Sequence, residues 1–425
     1  MSSVTIRPAR NISGAVRLPG DKSISHRYAM LAAIARGRTH LENFATGADC
    51  ASTLACLRAL GCKVEQPAAG VVEIEGRELE APASPLDCGN SGSTMRMLAG
   101  ILAAQAFSSE LVGDASLSRR PMTRVVEPLT AMGAKISSND GHAPLRIAGV
   151  KLHGIDYALP VASAQVKTAV LFAGLLAEGE TRVTEPTRTR DHGELALAAF
   201  GAKISRHANG ASLRGGQALN PIQASIPGDI SSAAFFLCAA ALFPGSNLVL
   251  DGLLLNPTRA TLLDVLAGMG ARVAMLNLEE HHGELIGTVR VEGGKLRGAT
   301  IAGAQTAALI DELPVLAAIA PLTEDGIEIR DAGELRVKES DRIAAVARNL
   351  RAMGAEVEER EDGLRIPGRQ KLRGAEVDSA GDHRIAMAFA IAALCAQGET
   401  TIRGADAAQV SYPEFFDVLE RIVER

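Results

Sequence analysis

Six stretches of this chain repeat one design, a polar start that runs directly into a helix of small apolar residues. They begin at Gly20-Asp21-Lys22-Ser23-Ile24-Ser25-His26-Arg27, Gly89-Asn90-Ser91-Gly92-Ser93-Thr94-Met95-Arg96 and Ser163-Ala164-Gln165-Val166-Lys167. The other three begin at Gly228-Asp229-Ile230-Ser231-Ser232, Asp311-Glu312-Leu313-Pro314 and Gly381-Asp382-His383-Arg384. The starts are roughly 65 to 85 residues apart. A helix N-terminus carries unsatisfied N–H groups and partial positive charge. Several such ends brought together, some with Lys or Arg, would form an anion site.

Each apolar helix is followed by a short strand, a second helix and a glycine stop. The stops share a pattern: Leu60-Gly61-Cys62-Lys63-Val64, Met132-Gly133-Ala134-Lys135-Ile136, Phe200-Gly201-Ala202-Lys203-Ile204, Met269-Gly270-Ala271-Arg272-Val273 and Met353-Gly354-Ala355-Glu356-Val357. Glycine suits the position just past a helix, where φ is positive. Strand pairs follow, among them Leu145–Gly149 and Val289–Gly293, so each unit reads as βαβαββ over about 70 residues. A unit of this kind buries its apolar face only against its neighbours.

The sixth copy ends inside its second helix, Pro413 to Arg421, with no strands after it. The N-terminal strands, Val4–Arg7 and Gly14–Arg17, precede the first copy and are expected to complete the sixth. Two domains follow: residues 20–227 hold copies one to three, and residues 1–19 with 228–425 hold copies four to six. The chain then crosses twice, near Pro19-Gly20 and Pro227-Gly228. A double crossing suggests a hinge with ligands between the domains.

Composition narrows the function classes. Aromatic residues are 3% of the chain, Trp is absent and the net charge is −5, a poor match for nucleic acid. An anionic ligand must therefore be held by local cations. The six cysteines form no C-x-x-C and read as buried thiols of a reducing compartment, and no H-E-x-x-H metal signature occurs. Met1 to Gly14 is polar, so no secretory leader is expected. The uncharged run Ile230–Leu250 is broken by Pro244-Gly245-Ser246-Asn247 and reads as a helix and a strand, not a membrane span. A cytoplasmic enzyme or binding protein is the expectation.

Charged residues cluster at the helix starts. Lys22 and Arg27 lie just over a turn apart, which suits either one ligand or an ordinary surface helix. The Gly89–Gly92 loop lets backbone approach a ligand but lacks the G-K-[ST] of a nucleotide loop. Arg119 and Arg120 precede a helix-starting Pro121; arginine is the residue for bidentate anion contacts, although exposed pairs are usually solvated. The same two readings apply to Arg188–Glu194 and to the charge run Arg336-Val337-Lys338-Glu339-Ser340-Asp341-Arg342. Acids mixed with bases at Asp311-Glu312 and Asp382-His383-Arg384 suggest proton transfer on an anionic substrate.

Taken in order, Leu18–Arg27, Leu335–Arg342 and Asp382–Met387 resemble the signature stretches of the enolpyruvyl transferases, specifically the branch acting on shikimate 3-phosphate. The resemblance implies an inside-out α/β barrel fold: two domains, each of three βαβαββ units about a pseudo-threefold axis. It implies transfer of the enolpyruvyl group of phosphoenolpyruvate to the 5-hydroxyl of shikimate 3-phosphate, with release of phosphate, in aromatic amino-acid biosynthesis. By motif, shikimate 3-phosphate falls to Lys22, Ser23, Arg27, Ser163, Ala164, Gln165, Arg190, Asp311 and Lys338. Phosphoenolpyruvate falls to Lys22, Gly92, Arg120, Gln165, Arg342 and Arg384. Asp311 corresponds to the base on the 5-hydroxyl, Glu339 to the proton donor and Lys22 to a third catalytic group. Neither a metal nor an organic cofactor is implied, and a monomer is expected.

Ser163-Ala164-Gln165-Val166-Lys167, Arg190–Glu194 and Asn256-Pro257-Thr258-Arg259 match the second class of the family. First-class members carry a phosphoenolpyruvate-binding lysine where this chain has Val410, and Asn where it has Glu334. Second-class membership is linked to tolerance of glyphosate, whereas Gly92 is the sensitive-type residue. The sister branch that modifies UDP-N-acetylglucosamine usually has Lys-Asn at the place of Lys22-Ser23, and a reactive Cys near Arg119-Arg120. No Cys lies between Cys88 and Cys238. A non-enzymatic anion-binding repeat protein would not need Glu339 or Asp311.

Overall fold

The computed structural model describes residues 2–425. All six polar starts become helix N-termini: Lys22–Ile34, Gly92–Leu102, Ala164–Leu176, Ile230–Leu242, Leu313–Ile319 and His383–Ala393. Five are closed by the preceding side chain. Asp21, Ser91, Ser163, Asp229 and Asp382 each accept a hydrogen bond from a backbone N–H of the first turn. Glu312 precedes the remaining helix and does not cap it. The second helices stop as expected: Gly133 and Gly354 have φ of 98° and 82°, which a Cβ would strain.

These first helices are buried on nearly every side, which accounts for their small residues. A Cβ on Gly100 would come within 2.2 Å of Ala169 O, so helices Gly92–Leu102 and Ala164–Leu176 touch through their backbones. Leucines such as Leu171 and Leu316 are completely enclosed, each contributing roughly 1.5–3 kcal/mol by leaving water. The few aromatics are concentrated where the last copy closes. Phe235 and Phe236 stack edge-on or tilted against Phe415 and Tyr412, fixing helix Phe415–Ile422 to Ile230–Leu242.

Six sheets lie outside the helices among the described residues, and four share one strand order. In copy two, Leu86–Asp87 runs parallel to Ser108–Val112, which pairs antiparallel with His142–Ala148, and that strand with Lys135–Asn139. A parallel crossover through the first helix and a hairpin after the second give the βαβαββ order. Copies three and five repeat it. Copy one takes its parallel strand, Gln223–Ser225, from the far end of copy three, so three copies close on themselves.

The copies of the second half close through the N-terminus, with two differences from the sequence reading. Ser3–Ile6 pairs antiparallel with Thr400–Arg403 and completes copy six. Asn11–Arg17 does not join it; it runs parallel to Asn247–Leu254 in copy four. Gln223–Ser225 is already committed to copy one, which leaves that edge of copy four unpaired, and an open strand edge recruits the next available strand. The last helix is also not the end: Val423–Glu424 pairs with Asn11 and Ile12.

The contacts divide the chain into two compact units. The first is Pro19–Ile226 with His281–Glu284; the second runs up to Leu18 and then over Pro227–Glu280 and Leu285–Arg425. Residues 281–284 fall within the sequence range of copies four to six but group with the first unit, where Glu284 Oε1 lies 2.6 Å from His192 Nδ1. No helix of the described residues is long and apolar enough to cross a membrane.

Candidate active site

In the first unit the starts of three helices converge. Arg27 is buried; its guanidinium donates to Ser23 O at 2.8 Å, to Thr168 Oγ1 at 3.0 and 3.2 Å and to Ala164 O at 3.4 Å. It therefore joins the start of copy one to that of copy three. Gln165 joins copy three to copy two: its Nε2 donates to Ser93 Oγ and its Oε1 accepts from Arg96 Nη1, both at 2.8 Å. Copies one and two are linked by a buried chain. His26 Nδ1 meets Thr53 Oγ1 at 2.7 Å, Thr53 meets Thr94 Oγ1 at 2.7 Å, and Thr94 Oγ1 donates to the cap Ser91 at 2.7 Å. Burial, with the nearby Lys22 and Arg27 charges, holds His26 well below the usual histidine range, so the chain is neutral.

Cations surround the Gly92 start. A Cβ there would stand 2.9 Å from Arg96 Nη1 and 3.4 Å from Arg120 Nη1. Arg120 is aimed by Asn90, whose side-chain and backbone oxygens both accept from it, and Asn90 is in turn held by Asp114 at 2.7 Å. Lys22 Nζ is positioned by Asp49 Oδ2 at 2.9 Å. Helix N–H groups flanked by guanidiniums suit a phosphate or carboxylate.

Beneath copy three lies a buried ionic cluster. Lys167 Nζ sits 2.9 Å from Glu185 Oε1 and 2.7 Å from Glu194 Oε1. Glu185 Oε2 accepts from the hydroxyl of Thr189. Lys167 is one turn along the helix from Ser163 and Ala164, and Thr189 immediately precedes Arg190, so the cluster ties the Arg190 loop to that helix start.

The second unit gathers acids as well as bases. Arg342, 1% exposed, is the hub. Its Nε lies 2.8 Å from Asp382 Oδ2, Nη2 lies 2.6 Å from Glu339 Oε2, and Nη1 lies 3.6 Å from Asp311 Oδ1. Arg384 approaches Asp311 from the other side, donating to its carbonyl at 2.9 Å and placing Nη2 3.6 Å from Oδ2. Burial opposes the charge on Arg342, yet Asp382 and Glu339 push its proton affinity up. Burial likewise opposes ionisation of Asp382, but the Arg342 guanidinium outweighs it and holds the carboxyl below the usual range. Half-buried Lys338 is held below the usual lysine range by desolvation, and Arg342 adds to this while Asp311 and Glu339 oppose it.

Of the residues assigned by resemblance, Asp311, Glu339, Arg342 and Arg384 meet in the second unit, with Lys338 under the electrostatic influence of the first three. Ser23, Arg27, Ala164 and Gln165 are drawn together in the first, with Gly92 and Arg120 adjoining them. Arg190 connects to this group through Thr189, Glu185 and Lys167. Val410 ends the 3-10 turn Ala405–Val410. Arg336 separates from Arg342: it donates to Glu361 O and Arg360 O at 2.7 Å and pairs with Asp341, bracing the neighbouring strands.

Sequence reasoning missed Arg96, Asp49 and the Lys167 cluster as parts of the site, and it did not show that Asp382 pairs with Arg342. Arg96 was detectable, four residues after Gly92 and so on the same helix face. The partners of Lys167, 18 and 27 residues away, carry no local signal. Among the described residues no group of three or more His, Cys, Asp or Glu side chains is arranged to hold a metal.

Comparison with known proteins gives one result. The sequence profile of a family described as EPSP synthase (3-phosphoshikimate 1-carboxyvinyltransferase) matches residues 6–419. A 3-phosphoshikimate 1-carboxyvinyltransferase of Koribacter versatilis (strain Ellin345) is 64% identical over 427 residues, covering 100% of both chains. One from Solibacter usitatus (strain Ellin6076) is 57% identical, covering 99% of each. A solved structure of EPSP synthase from Acinetobacter baumannii superposes with a TM-score of 0.88 at 43% identity, covering 99% of this chain and 98% of that one.

Proposed function

We propose that this chain, which belongs to the EPSP synthase family, transfers the enolpyruvyl group of phosphoenolpyruvate to the 5-hydroxyl of shikimate 3-phosphate using the two clusters just described. Carbon C2 of phosphoenolpyruvate is attacked by the 5-hydroxyl oxygen while its methylene carbon gains a proton. The tetrahedral intermediate then loses a proton from the new methyl group and expels phosphate, which restores the double bond. Asp311 takes the hydroxyl proton and Glu339 delivers the proton to carbon. Lys22, Ser23, Arg27, Ser163, Ala164, Gln165 and Arg190 bind shikimate 3-phosphate, with Asp311 and Lys338 on its hydroxyls. Lys22, Gly92, Arg120, Gln165, Arg342 and Arg384 bind phosphoenolpyruvate.

The observation that carries these roles is the placing of Arg342 between Asp311 and Glu339, at 3.6 and 2.6 Å. One buried cation hydrogen-bonds Glu339 and forms a longer ion pair with Asp311. When an anionic substrate engages that guanidinium, Glu339 loses its ion-pair partner and faces a negative charge instead. A carboxyl so placed retains a proton more readily and can donate it. Each close opposite charge is worth roughly 4 kcal/mol at an effective dielectric near 20, so the substrates' several negative charges require the whole cationic set. Glyphosate, an anion of similar size, competes for the phosphoenolpyruvate residues, and the protein acts as a monomer.

The test is phosphate release from phosphoenolpyruvate, expected to require shikimate 3-phosphate and to ignore UDP-N-acetylglucosamine. Glu339→Gln should abolish turnover while shikimate 3-phosphate still binds, as followed by calorimetry. Equal loss of binding and turnover would remove Glu339 from the donor role.

A further inference from the structure

Copy four supplies none of the residues assigned to either substrate, yet its helix start is built from buried polar groups. Ser231 Oγ, at the second position of helix Ile230–Leu242, donates to Glu312 Oε1 and accepts from Arg259 Nη2 at 2.7 Å. Arg259 and Glu312 are each 1% exposed. Burying a carboxylate and a guanidinium is costly unless their geometry is fixed, so the arrangement holds both in place. Glu312 occupies the residue before helix Leu313–Ile319, where five sister positions use a side chain to cap the helix; its side chain turns to Ser231 instead.

Glu312 directly follows Asp311. The Asp311 carboxylate stands 3.6 Å from each of its two arginines, longer than a hydrogen bond. Its backbone is gripped more closely: Arg384 Nη1 donates to the Asp311 carbonyl at 2.9 Å on one side, and the Glu312 side chain is anchored on the other. The repeat shows the same device one copy later. Arg342, which opens the second helix of copy five, holds Asp382, which caps the first helix of copy six. Arg259, ahead of the second helix of copy four, Thr261–Met269, stands in the same relation to Glu312 at the first helix of copy five, with Ser231 as the bridge.

We infer that Ser231, Arg259 and Glu312 are positioning residues that fix Asp311 for proton abstraction, which gives copy four its part in the reaction. The inference rests on Asp311 acting as the base. A misplacement of about 1 Å costs on the order of 100-fold in rate, so loss of one support should be visible without loss of the fold. The experiment compares Ser231→Ala, Glu312→Gln, Arg259→Lys, Arg259→Met and Asp311→Asn, measuring kcat against pH, calorimetric affinity for shikimate 3-phosphate, and Tm.

Ser231→Ala and Glu312→Gln should lower kcat by about 10- to 100-fold, displace the acid limb of the kcat profile, and change shikimate 3-phosphate affinity less than about threefold. Arg259→Lys should recover part of the kcat lost in Arg259→Met. If Asp311→Asn keeps wild-type kcat, the base assignment itself fails. If Asp311→Asn is inactive while Ser231→Ala and Glu312→Gln keep both kcat and the acid limb, the positioning role is overturned and the base assignment stands. A fall in kcat that only tracks Tm, with the acid limb unmoved, also overturns it.

Discussion

Replacing Lys167 by Met tests whether the ionic cluster under copy three holds the phosphate side of the site. The side chains of Lys167, Glu185 and Glu194 are 1%, 1% and 3% exposed, so water cannot replace the lost ammonium. Methionine keeps the length and the apolar stem but strands two carboxylates. Removing one partner of a buried pair costs about 3–5 kcal/mol, a large share of a total stability of about 5–15 kcal/mol. For a unit of this size that corresponds to a fall in Tm of roughly 6–20 °C. Thermal and urea unfolding measure it, and salt should change the loss little because the cluster is buried. The triple variant Lys167→Met/Glu185→Gln/Glu194→Gln removes the charges together and should recover most of the loss. Calorimetry with shikimate 3-phosphate should show weaker binding in the single variant, since the Arg190 loop loses its anchor. A single variant that loses under about 1 kcal/mol, or a triple variant no better than the single, would refute the reasoning.

Three further outcomes follow from the same geometry. Lys338 is held below the usual lysine range, so its cation is lost as pH rises; the alkaline limb of kcat/KM should fall below about pH 10.4, and Lys338→Arg should move that limb upward. An unmoved limb would assign it to another group. Asp382 has a depressed folded-state value, so its contribution to stability is present above about pH 3.9 and is lost as pH falls through the folded value. The Tm gap between wild type and Asp382→Asn should therefore be widest near neutrality and shrink below about pH 4; a constant gap down to pH 3 would contradict the assignment. Gly92→Ala meets only the ends of Arg96 and Arg120, so Tm should hold while the KM for phosphoenolpyruvate rises at least several-fold and that for shikimate 3-phosphate does not; equal effects on both would misplace Gly92.

What the sequence revealed was local chemistry. Asp21, Ser91, Ser163, Asp229 and Asp382 cap helices with side chains acting over two or three residues, and Gly133 and Gly354 stop them through backbone freedom alone. Such signals are readable wherever they occur. Strand destination is not of that kind. Nothing within Asn11–Arg17 says that it joins copy four, because that depends on Gln223–Ser225 leaving an edge open some 200 residues away. Side-chain partners were hidden for the same reason. Arg336 and Arg342 sit in one charge run, and only the fold turns the first onto Arg360 and Glu361 and the second onto Asp382, Glu339 and Asp311.

The two units use the same three-helix convergence for opposite electrostatic ends. In the first, helix N-termini carry Lys22, Arg27 and Arg96 around small residues, with Arg120 held beside them by Asn90, so N–H dipoles and side-chain charge add and favour an anion. In the second, Glu312 and Asp382 immediately precede helix starts and Asp311 is one residue further out, so acids neutralise the dipoles; with Glu339 they offset Lys338, Arg342 and Arg384 almost evenly. An even balance binds an anion less strongly than an all-cationic helix end. The two acids assigned to proton transfer are placed differently. Asp311 stands two residues before helix Leu313–Ile319, with Arg342 and Arg384 each 3.6 Å from its carboxylate. Glu339 lies three residues before helix Arg342–Ala352, beyond its cap Asp341, and pairs with Arg342 at 2.6 Å. Six similar helix ends thus carry a cationic set in one unit and a mixed acid–base set in the other, through the residues that stand at and near each end.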